Sequence, residues 1–119
     1  MAAPETARYT WLALRVLGAS LTVPIAEELA FRGFVYRRLF SADFESVSLS
    51  RFSWLALAVS SVLFGMMHGD RWFAGSVAGA MYGLAMIRRG RIADAIVAHG
   101  VTNALIAVDV LAFQRWHLW

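Results

Sequence analysis

Four long apolar runs dominate the chain, at residues 9–25, 52–67, 73–87 and 92–113, and most of its charge falls between them. A helix needs about 20 apolar residues to cross a bilayer. The first and fourth runs come near or exceed this; the second and third sit at the short end, where burial against neighbouring helices or local bilayer thinning compensates. Of the 119 residues 60% are apolar and only 16% are charged, too little charge to coat a soluble surface. The expected fold is all-α, one membrane-embedded domain over residues 1–119. It is a transmembrane bundle of about four spanning helices, with a separate charged helix over residues 27–40 and a polar connection over 41–50.

The basic residues, eleven in number, are all arginines. They cluster beside the apolar runs, as charges flanking membrane helices do, which argues against nucleic acid as a partner and for the lipid bilayer. In a four-span protein Arg32, Arg37, Arg38 and Arg51 share one side with Arg88, Arg89 and Arg91, expected to be cytoplasmic, while Arg8, Arg71 and Arg115 lie opposite. Trp11, Trp54, Trp72, Trp116 and Trp119 fall near run ends, where interfacial anchors belong. There is no cysteine, hence no disulfide, zinc–thiolate site or cysteine nucleophile. The first residues lack the basic-then-apolar order of a signal peptide, so the first run counts as mature structure. Gly75, Gly79 and Gly83 repeat every four residues and form a face on which another backbone can pack closely.

Into this apolar chain are set a few polar residues at helical spacing. Glu28 and Arg32 are one turn apart and can pair. Glu27 points about 100° away from Glu28 and is free to face a cavity. His68 closes the second run four residues after Phe64, and His99 shares a helix face with Asn103 in the middle of the fourth. Asp94 reads as interfacial; Asp109 lies close to the face of His99 and is a candidate supporting residue. Each feature has a plainer explanation: a surface ion pair, a helix cap, or hydrogen bonds between helices. Together they supply a base, two imidazoles and an amide donor, which suits attack by water on a peptide carbonyl. Zinc held by Glu27, His68 and His99 with a water is the competing chemistry, although no His-Glu-x-x-His is present.

The order Glu-Glu-x-x-x-Arg, Phe-x-x-x-His, His-x-x-x-Asn, each beside an apolar run, resembles the CPBP family, the CAAX-prenyl-protease-like (Abi) intramembrane proteins. The resemblance covers roughly residues 24–108, and the tail resembles members linked to bacterial exosortase systems. It implies an intramembrane endopeptidase, of metallo- or glutamate type, in a bacterial inner membrane. Its partner would be a membrane-associated peptide or protein substrate. Glu27 and His68 would activate water, His99 and Asn103 would form the oxyanion site, and Glu28 and Arg32 would organise them. Family members usually carry more spanning helices, so the chain is either a minimal member or the carboxy-terminal part of a longer protein. The alternatives are a non-catalytic scaffold or bacteriocin-immunity-type protein and a proton-relay element, the latter disfavoured because no inverted repeat is visible.

Overall fold

A computed structural model describes residues 4–119; residues 1–3, the start of the stretch expected to carry no leader, lie outside it. Helix α1 runs without a break from Glu5 to Arg38, 34 residues. It therefore joins the first apolar run to the charged segment that was expected to form a helix of its own. Proline at position 24 should interrupt such a helix, because its ring blocks the i−4 carbonyl and it offers no N–H. The helix absorbs it by widening first. Residues Gly18–Thr22 are π-helical, and the N–H of Val23 reaches back five residues to the carbonyl of Gly18. An α-helical turn, Val23–Glu28, carries Pro24 in its first positions, and a second π stretch, Leu29–Val35, follows. In the widened register Pro24 would have donated to the carbonyl of Ala19, which is left without a backbone donor.

Helix α2 spans Trp54–Met66 and starts at Ser53, whose hydroxyl accepts the N–H of Ala56 at 3.3 Å. A short 3-10 turn, Gly69–Arg71, leads into α3, Trp72–Arg89. Gly90 closes α3 in the left-handed region (φ 65°) and α4 follows, Ile92–Phe113. The hairpin of α2 and α3 packs along its length, α4 lies against α3, and α1 lies against α4 and α2. The bundle measures 54 × 24 × 22 Å, the long axis being that of α1 at about 1.5 Å per residue.

The glycine ladder forms the seam between α3 and α2 that its spacing implies. A Cβ added to Gly75 would lie 3.1 Å from Gly65 and from the His68 ring, and one on Gly83 would lie 2.7 Å from Leu57. At Gly79 it would lie 2.9 Å from the Arg32 guanidinium and 3.0 Å from Phe64. The ladder thus also makes room for two of the polar residues.

Charge and grease are distributed the reverse way from a soluble domain. Glu28, Arg32 and His99 are 0–2% exposed, whereas Leu14, Leu55, Phe73, Met81 and Leu105 are each 64–74% exposed. Lipid explains both, since apolar side chains are at home on the outside and polar ones must pair within. Among the described residues two helices, α1 and α4, can cross a membrane by length and composition. Apolar α2 has only 13 residues, and the glycines and terminal arginines of α3 dilute its hydropathy. The four expected spans thus become two helices of spanning character with two shorter partners. Arg38, Arg51, Arg88, Arg89 and Arg91 are exposed at the end where Ser50 meets Gly90. Arg32, counted above with these flanking charges, is instead inside the bundle.

Gly79→Ala should lose about 1–3 kcal/mol in detergent unfolding, because the added carbon overpacks against Arg32 and Phe64. Gly18→Ala, with nothing within 4 Å of its added carbon, should lose nothing. Equal losses at the two positions would count against the seam.

Candidate active site

Arg32 and Glu28 meet on the inner face of α1. The guanidinium approaches both carboxylate oxygens, Nε to Oε2 at 3.1 Å and Nη1 to Oε1 at 3.2 Å, and Nη2 donates to the carbonyl of Gly79 on α3. Its flat face lies 4.5 Å from the centre of the Phe64 ring on α2, with Tyr82 on α3 at 5.7 Å. His99 on α4 completes the cluster, its Nδ1 2.9 Å from Glu28 Oε1. A carboxylate only accepts, so Nδ1 carries the proton. Tyr82 stacks on the imidazole at 4.8 Å and 12°, and Phe64 meets it edge-on at 5.5 Å. The ring can hardly turn.

With Nδ1 engaged, the other nitrogen of His99 points to Glu27: Nε2 is 3.8 Å from Oε2. That Glu27 oxygen is buried and accepts no hydrogen bond. His68 is set by the way α2 ends. Its N–H tightens onto the carbonyl of Gly65 at 2.8 Å, so the carbonyl of Phe64 can receive the His68 ring Nδ1 at 3.0 Å. A carbonyl also only accepts, which leaves His68 Nε2 as an acceptor. Asn103 donates from Nδ2 to the carbonyl of Ala19 at 2.8 Å, the group that Pro24 leaves without a partner.

Between α3 and α4 opens a cavity of about 220 Å³ lined by His68, His99, Asn103, Tyr82, Thr102 and Arg71 among others. The six residues singled out in the sequence thus fall into related positions. Glu28 contacts both Arg32 and His99, Glu27 stands beside His99 but is not among the residues that line the cavity, and His68 and Asn103 share the cavity with His99. Sequence reasoning missed Tyr82, which clamps His99; it also missed the Gly79 carbonyl and the place of the Phe64 ring against Arg32 and His99. The one available signal was Tyr82 itself, a lone phenol on the small-residue face of α3. Asp109 pairs with Arg115 at 3.4 Å, away from His99, so it does not support the site; Asp94 pairs with Arg89 at 3.5 Å at the start of α4.

Among the described residues no group of three or more His, Asp or Glu side chains is arranged to hold a metal ion. His99 and His68 each commit Nδ1 and keep Nε2 free, as metal-bound imidazoles do, but Glu27, His68 and His99 are not brought together as a ligand set.

The sequence model of the family described as type II CAAX prenyl endopeptidase, Rce1-like, matches residues 9–105. The chain belongs to this family. The Rce1-like match takes in α1 from Tyr9 onward and all six site residues. Membership makes the chain one of a membrane-embedded protease family, and the apolar exterior of α1 and α4 agrees with this. Neither the curated proteins nor the solved structures compared with this Rce1-like chain match it.

Because Asn103 serves a carbonyl freed by proline, the two positions should be coupled. Asn103→Leu should cost about 1–3 kcal/mol of unfolding stability by orphaning Ala19 O. In a Pro24→Ala background, where a backbone N–H can return, the same change should cost clearly less. Equal costs in both backgrounds, measured by chemical denaturation in detergent, would refute the link.

Proposed function

We propose that the chain is an intramembrane endopeptidase that hydrolyses a peptide bond of a membrane-attached substrate with a glutamate-activated water and no metal. It would act in a bacterial inner membrane with its arginine-rich end on the cytoplasmic side. The observation that carries the reading is Glu27 Oε2: a buried carboxylate oxygen without a hydrogen bond, beside an imidazole that a buried ion pair holds in place.

In this mechanism Glu27 takes a proton from water, His68 Nε2 accepting the other hydrogen bond, and the water oxygen attacks the scissile carbonyl carbon. Charge moves to the carbonyl oxygen. The second amide hydrogen of Asn103 is available to stabilise it, as is His99 Nε2 when that nitrogen also carries a proton. In that state the two carboxylates of the cluster are matched by two cations, Arg32 and His99, a balance suited to a site without bulk water. The C–N bond then breaks as the proton held by Glu27 passes to the departing amine. Glu28 and Arg32 touch no reacting atom; they fix His99. The ligand set, which does not converge for zinc, supports the metal-free form of the reaction.

In proteoliposomes with a prenylated CAAX-type peptide, Glu27→Gln and His68→Ala should each lower kcat by about 10²–10⁴-fold while leaving the unfolding midpoint in place. Wild-type cleavage by both variants would remove Glu27 and His68 from the mechanism, and no cleavage by the wild type would leave a scaffold or immunity-type role instead. Chelation should not slow the wild type; loss of activity that zinc restores would contradict the metal-free mechanism.

A further inference from the structure

Among the described residues Arg71 is the one formally charged side chain lining the cavity. It stands at the mouth, exposed, on the turn that follows His68, and its N–H is bonded to the His68 carbonyl at 3.1 Å. The two residues therefore sit at the two ends of one tight turn. One guanidinium nitrogen, Nη2, donates to the carbonyl of His117 at 2.7 Å, which orients the fork without neutralising it. Among the described residues Arg71 forms no ion pair, like the exposed Arg38, Arg51, Arg88 and Arg91, but unlike them it lines the cavity. An unneutralised guanidinium facing an otherwise uncharged cavity is a receptor for a planar anion. Its donors match a carboxylate two at a time.

We propose that Arg71 binds a carboxylate of the substrate and thereby selects which peptides the site accepts. The inference rests on the endopeptidase reading above. The cavity, at about 220 Å³, is smaller than the ~300 Å³ at which drug-sized ligand pockets begin. The carboxylate and the scissile bond must therefore lie within a few residues of each other, at about 3.3–3.6 Å per extended residue. Two parts of a peptide carry the required group, its C-terminus and an aspartate or glutamate side chain. Either would give Arg71 a role in substrate binding and none in the chemical step.

The test uses three peptides of one sequence in proteoliposomes: a free C-terminal acid without acidic side chains, its carboxamide, and a carboxamide with one aspartate near the scissile bond. Wild type should cleave at least one carboxylate-bearing peptide with kcat/KM at least about tenfold above the plain carboxamide, mainly through KM. Which peptide gains tells C-terminus from side chain. Arg71→Gln should bring the preferred peptide down to the kcat/KM of the plain carboxamide, and Arg71→Lys should restore part of the gain. Equal cleavage of all three by wild type, or equal slowing of all three by Arg71→Gln, overturns the proposal. Binding to the Glu27→Gln protein, followed by tryptophan fluorescence, separates the two claims. Arg71-dependent, carboxylate-selective binding without wild-type cleavage would sink the endopeptidase reading and keep the anion site. Cleavage without selectivity would do the opposite.

Discussion

A guanidinium removed from water loses several kcal/mol of solvation unless its donors are met, and Arg32 is 1% exposed. What meets it decides how the bundle is built. Glu28 comes from the same helix one turn earlier, the Gly79 carbonyl from α3, the Phe64 ring from α2, and His99 from α4 joins through Glu28. One buried ion pair thus ties together all four helices. Gly79 has to be glycine because the guanidinium lies against its backbone, and Tyr82 has to be flat because it covers both Arg32 and His99.

The second constraint is on the backbone of α1. Two π stretches bracket the single turn that carries Pro24, Glu27 and Glu28. Such stretches are frequent at functional sites because they re-aim side chains and release backbone groups. Here the released group is Ala19 O, and Asn103 on α4 takes it. With Glu28 holding Nδ1 of His99, the same two helices are pinned at two heights. His99 and Asn103 are thereby presented toward the cavity, and Glu27 is left with an oxygen that nothing else engages.

Much of this was legible from residue spacing. Pairs at i,i+4 in an apolar chain have to face one another inside, so Glu28/Arg32 and the inward placement of His99 followed directly, as did the glycine seam. The helical class followed from the apolar runs. Other features depended on tertiary context. Arg32 counts as a flanking charge when only its distance from an apolar run is considered, and its burial requires the Gly79 carbonyl from a different helix. The fusion of two expected helices into α1 turns on a widened register that has no residue signature. Run length overcounted the spans, because a short apolar helix packed against others looks the same in sequence as one facing lipid. Tyr82 was invisible because stacking on an imidazole leaves no periodicity.

The central claim is that Arg32 and Glu28 act as one unit on which the site is hung, and a double-mutant cycle in unfolding stability tests it most directly. Arg32→Met and Glu28→Gln should each cost about 3–5 kcal/mol, since each leaves a buried charge without its partner. The double variant should lose less than the sum of the two by at least about 1–3 kcal/mol. Strictly additive losses would show that the two charges do not depend on each other and would contradict the account.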